Sequence, residues 1–309
     1  MKLVFCGTPQ FAVPTLEALH GAGHEIALVV SQPDRPRGRG MEVQVTPVKQ
    51  RALDLGLKVT QPEKIKKNDE FRAQLEAIRP DAIIVVAYGR IIPDWMLKLP
   101  RHGNLNLHAS LLPKYRGAAP IQWAIANGET VSGNTTMRID AGLDTGDILL
   151  QEELPIAETD TALTYAPKLA SAGAVLMATT VRALEEGTAR SRPQEHDKAT
   201  HAPLLTKEDG RIDFHRPAKA VYDRFRGLQP WPGAWTTFRG KQLTITQARP
   251  SRESITAEPG TIAVLQVGIF IACGEDTSLE VLEVQPEGKK KMPARDFANG
   301  YSPDKQRLE

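Results

Sequence analysis

The first half of the chain alternates short apolar runs with amphipathic segments. The apolar runs predict four strands, at residues 2–6, 26–30, 58–60 and 82–87. Apolar positions at helical spacing predict helices at residues 13–22, 46–55, 69–78 and 161–186. The run 82–87 has no polar alternation, which is typical of a central strand covered on both faces. Strand and helix in turn predict an open α/β fold with a mostly parallel sheet.

The second half has a different pattern, which begins after a polar stretch that contains prolines. Residues 189–206 lack periodicity and are predicted to be a linker. A helix is predicted at 218–226, followed by short strands at 234–238, 242–247, 260–265, 268–272 and 279–284. Five short strands at this spacing favour a small antiparallel β-barrel, with an OB-like fold as the leading candidate. We therefore predict a Rossmann-like α/β domain at residues 1–188, the linker, and an OB-like domain at 207–309.

Composition and short motifs exclude several classes of protein. Of the 309 residues 41% are apolar and 25% charged, and no stretch approaches the ~18 apolar residues of a membrane span. Two cysteines, Cys6 and Cys273, can build neither a disulfide framework nor a cysteine-based zinc site, which favours a reducing compartment such as the cytoplasm. Gly7-Thr8-Pro9 lacks the further glycines of a dinucleotide fingerprint, so NAD binding is excluded.

The strongest candidate chemistry lies in the short segment that ends at His108. A strand there would place Asn106 and His108 on one face, because side chains alternate along a strand. An amide beside an imidazole could polarise a carbonyl and stabilise an oxyanion. Polar residues at a strand end more often satisfy nearby backbone groups, so the segment alone leaves both interpretations open.

Two further segments add to this candidate site. Residues 110–120 combine leucines, prolines and an arginine, a mixture that suits a pocket for a flat, partly anionic ligand, with Leu111 and Leu112 as walls and Arg116 supplying charge. Residues 139–147 place three aspartates in a loop interrupted by glycines, and one of them could orient His108. The alternative for these carboxylates is a plain turn, since their spacing does not fit an EF-hand.

Basic residues cluster at two places although the chain as a whole is nearly neutral. Lysine plus arginine total 39 against 37 acidic residues, so any contact with nucleic acid depends on local patches. One patch is Arg35, Arg37 and Arg39 among glycines, and the other is Lys289, Lys290 and Lys291. Both could contact a phosphate backbone, and both could equally be solvated surface. Trp231, between two prolines, is predicted to be buried as part of a rigid corner.

Taken together, these segments resemble the folate-dependent formyltransferases. The resemblance rests on residues 106–113 and 142–146, and it extends over nearly the whole chain through 7–9, 32–36, 116–120, 230–233 and 288–292. It favours the branch of that family that acts on methionyl initiator tRNA. It implies transfer of a formyl group from 10-formyltetrahydrofolate to the α-amino group of the methionine, in the cytoplasm, by a monomer that needs no metal.

The resemblance also assigns roles to individual residues. Asn106 and protonated His108 would hold the developing oxyanion, and Asp144 would orient His108 and help to move protons. The implied folate-binding residues are Ser110, Leu111, Leu112, Pro113, Val86, Tyr88, Gly89 and Asp140. The implied tRNA contacts are Arg35, Arg37, Arg39, Lys289, Lys290 and Lys291. Many relatives have lysines directly after Arg39-Gly40, where this chain has Met41-Glu42, so the electrostatic case for that part of the loop is weaker.

Two alternatives stay open at this point. A formyltransferase could act on a small amine, such as glycinamide ribonucleotide or an amino sugar nucleotide, with the same catalytic residues. A non-catalytic RNA-binding protein would have no use for an intact set of Asn106, His108 and Asp144. The predicted C-terminal barrel and the basic loop at residues 35–40 favour the tRNA substrate, since a small acceptor needs neither.

Overall fold

A computed structural model of the protein describes residues 1–37 and 42–309, except for the side chains of Arg37 and Glu42. The chain divides into two compact units. The first unit comprises Met1–Pro120, Val131–Pro155 and Ala166–Ala202. The second comprises Ile121–Thr130, Ile156–Tyr165 and Pro203–Glu309. Two short internal segments, Ile121–Thr130 and Ile156–Tyr165, therefore belong to the second unit. The domain boundaries predicted from the sequence assign both segments to the first domain.

The elements follow the chain in an alternating order up to residue 202. The strands in this part are β1 (Lys2–Gly7), β2 (Glu25–Val30), β3 (Arg35–Arg37), β4 (Glu42–Gln44), β5 (Val59–Thr60), β6 (Ala82–Val86), β7 (Asn104–His108), β8 (Arg116–Gly117), β9 (Val131–Arg138), β10 (Ile148–Pro155) and β11 (His201–Ala202). The helices are α1 (Val13–Gly21), α2 (Pro47–Asp54), α3 (Asp69–Ile78), α4 (Asp94–Leu97), α5 (Pro120–Ala126) and α6 (Ala162–Glu185). The four predicted strands and four predicted helices of this part are all present.

Seven strands form the central sheet of the first unit, in the order β10-β9-β7-β6-β1-β2-β5. The five strands β5, β2, β1, β6 and β7 run parallel, and β9 and β10 continue the sheet antiparallel. The mostly parallel α/β sheet predicted from the sequence is confirmed. The chain leaves β1 toward β2 and later returns to the other side of β1 as β6, so the order switches between β1 and β6. Ligands of open α/β sheets bind at the carboxyl ends of strands near such a switch.

The core of this unit has a layer on each face of the sheet. Leu3 and Phe5 of β1 point into one layer, with apolar side chains of α1, α2 and α6. Val4 and Cys6 point into the other layer, with side chains of α3 and α4. In β7, Leu105 and Leu107 belong to the first layer. The polar side chains of this strand, including Asn106 and His108, therefore lie on the opposite face, as the alternation predicted.

The second unit is built around an antiparallel sheet. Its strands are β12 (Ala234–Phe238), β13 (Lys241–Pro250), β14 (Ile262–Leu265), β15 (Gly268–Ala272), β16 (Ser278–Pro286) and β17 (Met292–Pro293). The order is β12-β13-β16-β15-β14, with β17 beside β16. Two helices, α7 (Ala218–Gly227) and α8 (Ala294–Tyr301), pack apolar residues against this sheet. The predicted antiparallel C-terminal sheet is confirmed.

Two expectations about local structure turn out differently. Trp231, predicted to be buried, is 56% exposed, so its indole ring lies mainly at the surface of the second unit. Residues 192–202, predicted as part of a linker, pack within the first unit: Arg192 exchanges backbone hydrogen bonds with Ile148, and β11 pairs with β8. Within the described residues, no helix combines the length and the apolar content that crossing a bilayer would require.

Candidate active site

His108 stands at the carboxyl end of β7 and is only 6% exposed. Its Nε2 lies 2.9 Å from the carbonyl oxygen of Tyr115. A carbonyl oxygen only accepts hydrogen bonds, so Nε2 must carry a hydrogen and donate it. The other ring nitrogen, Nδ1, faces the carboxylate of Asp144. Any proton that His108 gains or loses is therefore exchanged at Nδ1.

Asp144 reaches His108 from the loop between β9 and β10. One carboxylate oxygen, Oδ2, lies 3.7 Å from Nδ1 of His108 and accepts a hydrogen bond from the backbone N–H of Gly117 at 2.9 Å. The first distance is too long for a hydrogen bond, so the carboxylate faces the ring without bonding to it. Asp144 has a φ of 52°, in the left-handed region that aspartate tolerates better than most residues.

Asn106 completes the set of polar groups on this face of β7. Its side chain is half-buried, and within residues 1–37 and 42–309 no group hydrogen-bonds its amide. An amide nitrogen with both hydrogens available can donate to an oxygen that becomes negative during a reaction. The sequence predicted that Asn106, His108 and Asp144 act together. The structure places Asn106 and His108 on one strand face and Asp144 against the ring of His108.

A turn after β6 supplies backbone groups at the neighbouring strand end. Ala87 and Gly89 have positive φ angles of 46° and 76°, and the chain bends at Ala87. The side chain of Gln32 holds this turn by donating to the carbonyl oxygens of Tyr88 at 3.0 Å and Gly89 at 3.3 Å. Tyr88 is 2% exposed and Val86 is fully buried. Of these predicted folate residues, Val86 and Tyr88 can thus offer a ligand chiefly their backbone.

The other predicted folate residues have mixed surroundings. Ser110 is buried, and its hydroxyl donates to the carbonyl oxygen of Lys114 at 2.6 Å. Leu112 is buried beside Met137, while Leu111 and Pro113 are half-buried. Asp140 is exposed, and its carboxylate accepts from two groups of its own loop, the N–H of Gly142 and the hydroxyl of Thr145. Their roles toward folate stay predictions.

Sequence reasoning missed two apolar side chains beside this site. Ile91, just after the turn that follows β6, is 92% exposed, and Leu143, just before Asp144, is 64% exposed. Large apolar side chains exposed next to polar catalytic candidates are typical of a ligand-binding surface. Neither residue stands in a periodic pattern, so the sequence carried no signal that separates them from core residues.

The expectation that Arg116 supplies charge to a ligand is wrong. Arg116 is 5% exposed, and its guanidinium donates to Oε1 of Gln194, from Nε at 3.1 Å and from a terminal nitrogen at 2.6 Å. The same terminal nitrogen lies 3.1 Å from Nδ1 of His196. All these partners are inside the first unit. The arginine is therefore part of the internal framework of the site.

The first basic patch sits on a two-stranded hairpin formed by β3 and β4. Arg35 is exposed, and the backbone of Arg37 pairs with that of Glu42. The side chain of Arg37 and all of Arg39 lie outside the described residues. Arg35 also borders an open pocket of about 430 Å³ at the carboxyl ends of β1, β2 and β6, with Thr8, Gln32 and Gly89.

Asp34 anchors this hairpin to α2. Its carboxylate forms an ion pair with Lys49 and accepts from Gln61 at 2.8 Å and from the N–H of Thr46 at 3.3 Å. Burial alone would raise the pKa of Asp34, but the hydrogen bonds outweigh it and lower the pKa below its ordinary value. The ionised carboxylate is therefore favoured by folding.

Replacing Asp34 with asparagine should lower the free energy of unfolding by about 1 kcal/mol at pH 7, because the ion pair is only partly buried. A lowered pKa stabilises the fold above the unfolded value of about 3.9, and this contribution declines as the pH falls below it. Urea unfolding of parent and variant should therefore differ at pH 7 and converge below about pH 4. Asp54→Asn, at an exposed position of α2, is the control. An equal loss of stability in that variant would contradict the anchoring role of Asp34.

The second basic patch lies between β16 and β17 in the second unit. Lys289, Lys290 and Lys291 are all exposed. Nζ of Lys291 lies 3.9 Å from a carboxylate oxygen of Glu283, so part of its charge is balanced. The patch therefore contains one lysine beside a carboxylate and two lysines, Lys289 and Lys290, whose side chains form no salt bridge within the described residues.

Metal chemistry has no obvious donor set here. Among residues 1–37 and 42–309, no group of three or more histidine, cysteine, aspartate or glutamate side chains is placed to hold a metal ion. The polar groups of the site are instead the amide of Asn106, an imidazole that exchanges protons at one nitrogen and a carboxylate beside it. Such a set can hold a developing oxyanion and move protons.

The open α/β sheet and these polar groups at a strand end fit an enzyme that transfers a carbonyl-type group. The chain belongs to the formyl transferase family. Two models of that family match it: formyl transferase over residues 1–181, and the formyl transferase C-terminal domain over residues 204–302. Both halves of the chain are therefore accounted for by one family.

Curated relatives match over almost their whole length. The chain is 64% identical over 300 residues to the methionyl-tRNA formyltransferase of Acidobacterium capsulatum, covering 97% of this chain and 96% of the relative. It is 62% identical over 304 residues to the methionyl-tRNA formyltransferase of Koribacter versatilis, covering 98% and 97%.

Solved structures share the fold at much lower identity. The N-formyltransferase of Helicobacter canadensis, in complex with folinic acid and dTDP-3-aminofucose, matches with a TM-score of 0.67 and 19% identity, over 93% of this chain and 99% of that one. HypX of Aquifex aeolicus, in complex with tetrahydrofolic acid, matches with a TM-score of 0.65 and 18% identity, over 96% of this chain and 47% of that one. These likenesses concern the fold alone.

Proposed function

We propose that this chain transfers the formyl group of 10-formyltetrahydrofolate to the α-amino group of methionyl initiator tRNA, giving N-formylmethionyl-tRNA for translation initiation. The observation that carries the proposal is the full-length similarity to two curated methionyl-tRNA formyltransferases, at 64% and 62% identity. A relation at this level includes both the α/β unit and the C-terminal unit. The site geometry supports the same chemistry independently.

The first unit fits a folate cosubstrate, which would supply an electrophilic formyl carbon. The backbone at Ala87–Gly89 is held by Gln32 at a strand end, where it can hydrogen-bond a flat heterocycle. The exposed side chains of Ile91 and Leu143 offer apolar surface for the faces of its rings. We propose that these groups, with Ser110–Pro113 and Asp140, form the folate site.

The chain's own residues would handle the oxyanion and the protons. A bond forms between the amine nitrogen and the formyl carbon, the bond from that carbon to the folate nitrogen breaks, and one proton moves from the amine to the departing nitrogen. The amide of Asn106 would donate to the formyl oxygen. His108 would hold a proton at Nδ1, because Nε2 is committed to Tyr115. The carboxylate of Asp144 would stabilise that protonated ring.

We assign tRNA binding to the paired strands β3 and β4, to the basic segment that contains Arg39, and to the C-terminal unit. Arg35 is exposed beside the pocket at the strand ends, and Lys289, Lys290 and Lys291 form an exposed group. Exposed lysines and arginines bind phosphates largely without reading sequence. The predicted boundaries, with chemistry in residues 1–188 and tRNA capture in 207–309, stay a proposal, and the packing of residues 192–202 supports extending the first part to Ala202.

Replacing Lys289, Lys290 and Lys291 together with alanine should raise KM for methionyl-tRNA about 10-fold at moderate salt and leave kcat unchanged. The slope of log KM against log salt should also become shallower, by about one for each phosphate that the variant no longer neutralises. Steady-state kinetics at several salt concentrations measures both effects. Lys66→Ala with Lys67→Ala, an exposed pair in the first unit, is the matched control. An unchanged KM in the triple variant would remove this patch from the proposed interface.

The acceptor is tested by direct competition. The purified chain with 10-formyltetrahydrofolate is offered methionyl initiator tRNA, glycinamide ribonucleotide and a dTDP-amino sugar, separately and together. We expect rapid formylation of the tRNA and no measurable product from either small amine. Transfer to a small amine with none to tRNA would leave the formyl-transfer chemistry in place and refute the acceptor. Folate-independent tRNA binding without any transfer would indicate a non-catalytic RNA-binding protein.

We further propose that the protein is a cytoplasmic monomer. Its two cysteines are buried, and burial raises the pKa of both thiols, that of Cys273 to about 12. Both therefore persist as thiols, as is usual for cysteines in a reducing compartment. Light scattering should give a mass near 33.9 kDa. A mass twice that value would overturn the monomer.

A further inference from the structure

We propose that Gln194 is a positioning residue for the transfer site: its side-chain amide fixes the loop that carries Asp144, so that the carboxylate faces His108. The inference deepens the formyl transfer proposed above and rests on it. Gln194 lies in the stretch that the sequence predicted to be a linker. In the structure it is 5% exposed and sits inside the first unit.

Both hydrogens of the Gln194 amide are used on the catalytic loop. Nε2 donates to the carbonyl oxygen of Asp144 at 2.9 Å and to that of Gly146 at 2.7 Å. Two carbonyl oxygens of one tight turn thus converge on a single nitrogen. A primary amide can donate to both oxygens at once, because its nitrogen carries two hydrogens.

The loop needs such support because its backbone is unusual. Asp144 holds a left-handed conformation, with a φ of 52°. Gly146 is packed so closely that a Cβ there would meet the carbonyl oxygen of Arg138 at 1.9 Å. A residue in a sparsely populated conformation persists only when its surroundings hold it there. The two bonds from Gln194 hold the carbonyl of Asp144 itself and the carbonyl of Gly146, two residues further on.

The orientation of the Gln194 amide is chemically determined. Its Oε1 faces the guanidinium of Arg116, which has only donors, and its Nε2 faces two carbonyls, which only accept. A flipped amide would lose every one of these bonds. Arg116 directly precedes Gly117, whose N–H donates to the Asp144 carboxylate. The backbone and the carboxylate of Asp144 are therefore held from one rigid framework.

The test compares variants that separate the two ends of the amide. Gln194→Glu keeps an acceptor for Arg116 but removes both N–H donors, whereas Gln194→Ala removes everything. We expect each variant to lose about 10–100-fold in kcat, with KM for folate and for tRNA within about threefold of the parent. Glu195→Gln, the exposed neighbour, should behave as the parent. A Gln194→Glu variant with parental kcat would overturn the proposal, because then only the contact with Arg116 matters.

A double-mutant cycle shows whether Gln194 acts through Asp144. If it does, Gln194→Ala with Asp144→Asn should be no slower than Asp144→Asn alone, whereas fully additive losses would contradict the proposal. Hydrogen exchange gives a readout that needs no substrate. We expect amides at residues 140–147 and at Gly117 to exchange at least about 10-fold faster in Gln194→Glu and not in Glu195→Gln. Unchanged exchange would refute the positioning role even if the wild-type chain proved inactive on tRNA, a result that would refute only the proposed function.

Discussion

His108→Ala should lower kcat for formyl transfer by about 10²–10⁴-fold, the range for loss of a positioned acid–base group. The physical reason is that the variant loses the proton-carrying nitrogen Nδ1. Nε2 is tied to the carbonyl oxygen of Tyr115, so Nδ1, which faces Asp144, is the ring nitrogen left to take up and release a proton. KM for both substrates should change little, because the imidazole is buried and offers small contact area. Steady-state and single-turnover kinetics with methionyl initiator tRNA measure the effect.

The matched control for this variant is His215→Ala. His215 is exposed in the second unit and its ring lies 3.3 Å from the carboxylate of Asp213, far from the proposed chemistry in sequence, so its removal should leave kcat unchanged. Circular dichroism and thermal unfolding establish that His108→Ala is folded. A folded His108→Ala variant with kcat within about threefold of the parent would show that proton transfer does not pass through this ring.

Gly117→Ala should lower the free energy of unfolding by about 2–4 kcal/mol and abolish most of the activity. Gly117 has a φ of 124°, which L-residues with a side chain rarely adopt. An added Cβ would lie 2.6 Å from the carbonyl oxygen of Ala202, in the partner strand β11. Relief of that clash must move the backbone N–H that donates to Asp144. Stability and activity should therefore fall together.

Gly21→Ala is the control for this substitution. Gly21 ends α1, and a Cβ built there meets nothing within 4 Å. Alanine should leave activity unchanged and stabilise the fold by up to about 1 kcal/mol, because glycine is the poorer helix former. Urea unfolding and the formylation assay on both variants separate the effect of position from that of composition. Parental stability and activity in Gly117→Ala would contradict the close packing of β8 against β11.

Elements with a strong local signal were predictable from the sequence. The uninterrupted apolar run at residues 82–87 became β6 in the middle of the sheet. The N-terminus of α2 was marked by Thr46 and Pro47, and Thr46 Oγ1 indeed accepts from the N–H of Lys49 at 3.3 Å. Alternation along β7 was sufficient to place Asn106 and His108 on the same face. In each case neighbouring residues alone determine the outcome.

The antiparallel pair β9 and β10 had no comparable signal. β9 buries polar residues such as Asn134 and Thr136, whose side chains form hydrogen bonds with groups far away in sequence. The amide of Asn134 donates to the carbonyl oxygen of Leu169, and the hydroxyl of Thr136 lies 2.8 Å from that of Thr180. A strand that buries polar groups against a helix 35–44 residues away shows no apolar periodicity. Its position is decided by tertiary contacts.

The framework behind the site was hidden for the same reason. Arg116 and Gln194 are 78 residues apart in sequence, and each alone resembles an exposed polar residue. The polar, proline-containing stretch around Gln194 has the composition of a linker, although it is held by hydrogen bonds to backbone groups. Composition indicates whether a segment can bury apolar area. It does not indicate whether another segment of the folded chain presents polar atoms that need hydrogen-bond partners, as the loop of Asp144 and Gly146 does for Gln194.

The proposed reaction and its active site are tested most directly by single-turnover formylation of methionyl initiator tRNA. The full chain and Asp144→Asn are compared, each in excess over tRNA and saturated with 10-formyltetrahydrofolate. We expect complete conversion to N-formylmethionyl-tRNA by the parent, and a rate at least about 100-fold lower for the variant with tRNA binding retained. Equal rates for the two chains would contradict the assignment of the active site to Asn106, His108 and Asp144. No conversion by the parent would contradict the proposed reaction itself.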